Sequence, residues 1–126
     1  MNAALETYRQ SSIDTASPGR LIVMLYDGVI ASIDKVEAAL STQRPDLATA
    51  HSELTRAQAI ISELLQTLDM SVGPVAISLA SLYEFCHRQL VQANVEKSIE
   101  PTRAVRDIFA DLRDAWATIS GGVDPL

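Results

Sequence analysis

The stretch that decides the fold is residues 45–68, PDLATAHSELTRAQAIISELLQTL. Apolar residues recur in it at Leu47, Ala50, Leu54, Ala57, Ile61, Leu64 and Leu68, in alternating steps of three and four. Such steps return a residue to the same side of an α-helix at each turn, whereas a half-buried strand alternates every second residue. A stripe of this kind packs against other helices. Pro45 opens the stretch, and proline suits a first helical position because its missing N–H would have no intrahelical partner there.

The same punctuation runs outward in both directions. Pro18, Pro45, Pro74 and Pro101 stand 27, 29 and 27 residues apart, with no proline between them. This predicts four helices, over about 18–41, 45–68, 74–96 and 101–119. The third carries Ala76, Leu79, Tyr83, Cys86, Leu90 and Ala93 at helical spacing, and the fourth carries Val105, Ile108, Leu112, Ala115 and Ile119. Ser17 is a suitable N-cap for the first, Gly73 allows a tight entry to the third, and Gly121-Gly122 stops the fourth. Short connections at Ser41–Arg44, Asp69–Gly73 and Glu96–Glu100 make successive helices antiparallel neighbours. The expected fold is all-α: an antiparallel four-helix bundle over 17–120, with a flexible N-terminal flap over 1–16 and a tail over 121–126. No internal repeat accompanies the proline spacing.

Composition narrows the function. A chain of 126 residues suits one domain. Apolar residues make up 48% and charged residues 21%, which is globular rather than disordered. The net charge of −6 repels nucleic-acid phosphates and anionic lipid surfaces, so neither is expected as a partner. The apolar run Leu21–Tyr26 is far shorter than the ~20 residues of a membrane span. With no secretory signal and a single cysteine, Cys86, the expected location is cytoplasmic.

The first helix breaks the one-faced pattern. Ile22, Tyr26, Val29, Ile33, Val36 and Leu40 form a stripe for the bundle interior. Leu21, Met24, Gly28 and Ala31 form a second. A helix apolar on two sides must be covered on two sides. The cover expected is the N-terminal segment, another subunit or a client. Leu5, Tyr8 and Ile13 give residues 1–16 the apolar content of a flap over that stripe; the plainer reading is a loose tail.

The catalytic motifs searched for are absent or incomplete in this chain. A di-metal carboxylate bundle needs two Glu-x-x-His pairs, and only Glu84 and His87 make one, since Ala48 precedes His51 at that spacing. Covalent haem attachment needs Cys-x-x-Cys-His, and Cys86-His87 lacks the first cysteine. His51 has no lysine or glycine in its turn to serve phosphotransfer, and no nucleophile elbow or phosphate loop is present. Cys86 lies on an apolar seam and reads as a buried, inert thiol. Glu84 with Arg88, and Arg103 with Asp107, read as solvated intrahelical pairs. Phe109 and Trp116 read as core, with an exposed recognition surface as the alternative. No enzyme, metal or cofactor is expected. A binding chaperone, a homo-oligomeric structural bundle and a regulatory helical adaptor remain open on this reading.

A family resemblance distinguishes among them. Tyr8, Thr15-Ala16-Ser17-Pro18, Leu21 and Met24-Leu25-Tyr26-Asp27-Gly28 resemble the signature of the flagellar secretion chaperone FliS family. The similarity continues through Arg56-Ala57-Gln58, Ile60, Ile61, Glu63, Leu64, Leu68-Asp69, Leu82-Tyr83, Leu90, Ala93-Asn94, Leu112-Arg113 and Ala115-Trp116. Ser71-Val72-Gly73-Pro74 and Pro101 depart from the pattern, which bears on loop geometry only. The resemblance implies a cytoplasmic bundle that binds the C-terminal segment of flagellin, keeps it monomeric, and helps deliver it to the flagellar export gate. Other flagellar regulators are further candidate partners. The candidate flagellin-binding residues are Leu5, Tyr8, Leu21, Met24, Leu25, Ile60, Leu64 and Leu82. Thr15 and Ser17 read as structural, in a turn and a cap.

Overall fold

The computed structural model describes residues 18–120, with side chains for residues 19–119. The expected flap, the Ser17 cap and the 121–126 tail therefore lie outside the described residues, as do Leu5, Tyr8 and Thr15. The described chain forms α1 (Pro18–Leu40), α2 (Leu47–Thr67), a short 3₁₀ turn (Met70–Val72), α3 (Pro74–Glu96) and α4 (Glu100–Ser120), with no strand. At 1.5 Å per residue, helices of 21 to 23 residues are about 30–35 Å long. Connections this short can only reverse the chain, and the helices pack in the ring α1–α2–α3–α4, with α4 closing on α1.

Each helix start has a separate cause. Pro74 occupies the first turn of α3 behind Gly73, whose φ of 107° is open to glycine and strained for other residues. Pro45 does not open α2, contrary to the proline reading. Asp46 is the cap, its carboxylate accepting the Thr49 N–H at 3.0 Å and the Thr49 hydroxyl at 2.6 Å. A side-chain acceptor satisfies an orphan N–H that proline can only do without, so the cap sets the boundary two residues later. Donation from the Thr49 hydroxyl and then its N–H holds the Asp46 carboxyl below its usual range. The cap is thus in place above the ordinary Asp titration and is lost as pH falls through the lowered value. In α4, Glu100 precedes Pro101, and Thr102 turns both its N–H and its hydroxyl onto the Ile99 carbonyl. Lys97, at φ 52°, ends α3 in a left-handed cap.

The core follows the α2 and α3 seams, with one exception: Leu47 stands 53% exposed on the first turn of α2. The α4 seam is phased differently from the sequence reading. Thr102, Val105 and Phe109 are buried and Leu112 and Trp116 pack against them, while Ala115 and Ile119 face solvent. The two phases share Val105 and Leu112, and the larger aromatic side chains take the interior. The expected Arg103–Asp107 pair is replaced by Arg103–Glu100, and the other arginines of α4 bridge helices. Arg106 grips Asp34 through Nε at 2.6 Å and Nη2 at 3.2 Å, and Arg113 reaches Asp27 at 2.8 Å. Seven residues forward on α4 are matched by seven back on α1, which marks the pair as antiparallel. These pairs are half-exposed and contribute no more than about 1 kcal/mol each.

The second stripe of α1 is not a free face. A Cβ on Gly28 would stand 3.1 Å from Ile60 Cδ1, so α1 and α2 approach closely there. Ala31 is solvated, and Leu21 packs against the core. Having two helical neighbours accounts for most of the surplus that the sequence shows on α1.

Cys86 is buried, and burial pushes its thiol up to about 11. A thiol reagent at pH 8 is expected to react with the folded chain only as fast as the chain opens, and immediately in denaturant. Rapid stoichiometric labelling of the folded chain would show that α3 is not held as described.

Candidate functional site: an apolar groove at one end of the bundle

The apolar surface left on α1 at Leu21, Ile22 and Leu25 lies at the end where α1 and α3 begin and α2 and α4 finish. A groove of about 560 Å³ opens there. Leu21, Ile22 and Leu25 come from α1, and Leu64, Thr67 and Leu68 from α2. Val75, Ala76, Leu79 and Tyr83 come from α3, and Trp116 and Ile119 from α4. Asp69 and Val72 of the connecting turn complete the rim. Asp69 is committed to that turn, where it accepts from the Ser71 hydroxyl and N–H, which keep its carboxyl below the usual range. Val72, Val75 and Ile119 present large apolar side chains to water, Val75 at 70% exposure. Among the described residues no cation lines the groove.

Three aromatic rings separate this open end from the closed half of the core. Tyr26 meets Phe109 edge-on at 5.4 Å, Tyr83 stacks on Phe109 at 6.1 Å, and Tyr26 and Tyr83 join through their hydroxyls at 2.5 Å. Burial raises the Tyr26 phenol far above its ordinary value, Tyr83 adds to the rise, and the Trp116 indole N–H opposes it. Burial likewise raises Tyr83. Both phenols stay protonated and serve as hydrogen-bonding groups.

The sequence-derived candidates divide on this geometry. Leu21, Leu25 and Leu64 line the groove, Leu21 half-exposed and Leu25 and Leu64 almost wholly buried in its floor. Ile60 is buried beneath Gly28 and belongs to the α1–α2 contact. Met24 and Leu82 are partly buried and lie outside the lining, and Leu5 and Tyr8 lie outside the described residues. Sequence reasoning did not assign Ile22, Leu68, Val72, Val75, Leu79 or Ile119 to the site. Trp116, which had an exposed surface as its alternative reading, is half-buried in the groove wall. Chemically, the groove offers apolar contact and little else. Among the described residues no three His, Cys, Asp or Glu side chains converge as metal ligands, and no helix is long and apolar enough to cross a membrane.

Comparison with known proteins places these features in a family. The profile described as "Flagellar protein FliS" matches residues 1–123. A flagellar secretion chaperone FliS of Bacillus subtilis (strain 168) is 36% identical over 109 residues, covering 86% of this chain and 80% of that one. The protein of the same name from Salmonella typhimurium is 31% identical over 124 residues, covering 94% and 90%. That of Vibrio cholerae is 30% identical over 124 residues, with the same coverage. A four-helix bundle that matches these chains over nearly its whole length belongs to the FliS family of flagellar secretion chaperones, which are not enzymes.

Proposed function

We propose that this chain is a cytoplasmic export chaperone that binds the C-terminal helical segment of flagellin, prevents its premature polymerisation and helps deliver it to the flagellar export gate. The open apolar groove carries the reading. An apolar surface flanked by four helix ends is suited to an amphipathic helix, the helix-in-groove mode of recognition. Size constrains the fit. One helical turn with side chains, about 10–12 Å across and 5.4 Å tall, displaces on the order of 500 Å³. The groove of about 560 Å³ is thus on the scale of a short stretch of helix, and a longer client segment extends beyond it. Leu21, Leu25 and Leu64 are the proposed contacts, together with Leu79 and Trp116. Residues 1–16, with Leu5 and Tyr8, are proposed to cover the apolar surface when no client is bound. The ordering entropy that the client loses on binding keeps affinity moderate for the area buried, which permits release.

Co-purification decides the matter. Full-length flagellin is expected to be retained by the immobilised chain, and flagellin lacking its C-terminal segment is expected to pass through. Equal retention of both would remove the C-terminal segment as the client. A stable dimer by sedimentation, with the groove closed between two copies, would favour the homo-oligomeric alternative.

A further inference from the structure

One charged group on the rim of the groove is only half spent. Asp69, between α2 and the 3₁₀ turn, is exposed, and among the described residues it is the one charged side chain of the lining. Both hydrogen bonds that it accepts from Ser71, the N–H at 3.0 Å and the hydroxyl at 2.6 Å, fall on Oδ1. Oδ2 has no hydrogen-bond partner among the described residues. Ser71 thus fixes the carboxylate in place and leaves one charged oxygen available. The backbone adds charge of the same sign. α2 ends at Thr67, two residues before Asp69, with no basic residue in its last turn, and the carbonyl end of a helix is partly negative. The Thr67 hydroxyl is engaged by the Leu64 carbonyl at 3.0 Å, and the Tyr83 hydroxyl by Tyr26.

Apolar contact alone discriminates poorly among amphipathic helices, since a helix can slide by a turn or reverse and still present an apolar face. A few fixed polar groups in an otherwise apolar site set choice and orientation. We infer that Asp69 is a specificity-determining residue, which selects a client segment carrying a Lys or Arg beside its apolar face. The inference rests on the docking reading above. As the apolar face enters the groove, that cation meets Oδ2. An acidic residue in the same place is repelled by Asp69 and by the carbonyl end of α2. Sliding or reversal carries the cation away from Asp69, so the same pair fixes the register.

The test varies the partner. Each Lys and Arg of the flagellin C-terminal segment is replaced in turn by Gln, and affinity is measured by calorimetry for the wild type and for Asp69→Asn. Asparagine keeps an Oδ1 acceptor for Ser71 and removes only the charge. One replacement is expected to weaken binding to the wild type by about three- to five-fold, the upper range for an exposed ion pair, and to leave binding to Asp69→Asn unchanged. Diffuse attraction to the net charge of −6 would instead be spread over every cation and would survive in Asp69→Asn. A loss spread evenly over the wild-type series, or a series in which no replacement distinguishes the two chains, overturns the inference while leaving the docking reading standing. Failure of the wild type to bind the unmodified segment overturns both. The wild-type series uses an unaltered chain, so it does not depend on how well Asp69→Asn folds.

Discussion

Leu79→Asp is expected to weaken capture of the proposed client, the flagellin C-terminal segment, by more than about 100-fold while leaving a folded bundle. Leu79 lies one turn into the groove on α3, half-buried, with its outer surface available to a docked helix. A carboxylate there would be stripped of water by the apolar face of the client. Among the described residues Asp69 is the only charged one of the lining, so none of them offers it a cation. Burying an unpaired charge costs several kcal/mol, and each 1.4 kcal/mol is a factor of ten in affinity. Helical circular dichroism should persist, since an aspartate can still turn to water in the unoccupied groove. Calorimetry on the folded variant checks the loss, and capture within about three-fold of wild type would show that the groove is not where the client lies. Val75→Asp on the rim, already largely in water, should weaken binding less and leave stability unchanged.

Phe109→Ala is expected to remove about 3–5 kcal/mol of folding stability, read from urea unfolding. Its ring is fully buried and touches both Tyr26 and Tyr83, so it joins α4 to α1 and α3 at one point. The loss has two parts: the transfer of a large aromatic side chain, and a cavity that the two tyrosines cannot fill while their hydroxyls remain joined. A domain of this size has about 5–15 kcal/mol in total, so the variant should be near its folding threshold at 37 °C. A loss below about 1 kcal/mol would mean that the rings adjoin one another without supporting the bundle.

The sequence made the architecture readable because helical periodicity and helix punctuation are local. The α2 and α3 stripes, the four helices and the short reversals all follow from residues within one or two turns of each other. Two errors arose where local signals compete. At Pro45 the proline preference and the Asp46 cap point to boundaries two residues apart, and the carboxylate prevails because it satisfies a donor. On α4 two apolar phases overlap, and the choice depends on what faces them from α1 and α3, which no window of α4 contains. The site was harder to read for the same reason. Leu21, Leu25 and Leu64 are apolar whether they seal a core or line a groove, and Ile60, chosen by the same criterion, is as buried as Leu64 but lies outside the lining. What separates them is distance from the bundle end, a property of the assembled helices. Trp116 gave the useful warning: it is large and carries a polar edge, and such a residue is rarely buried completely.

The groove's position has a practical consequence. The backbone enters α1 three residues before Leu21 and leaves α4 one residue after Ile119, so both points of attachment lie on the rim of the mouth. An affinity tag, fluorophore or fusion partner joined close to either point would crowd the entrance, and an engineered variant could then fail a capture assay through obstruction alone. Labels for binding work belong at the opposite pole, where the α1–α2 connection around Thr42 and Gln43 is exposed and distant from the opening.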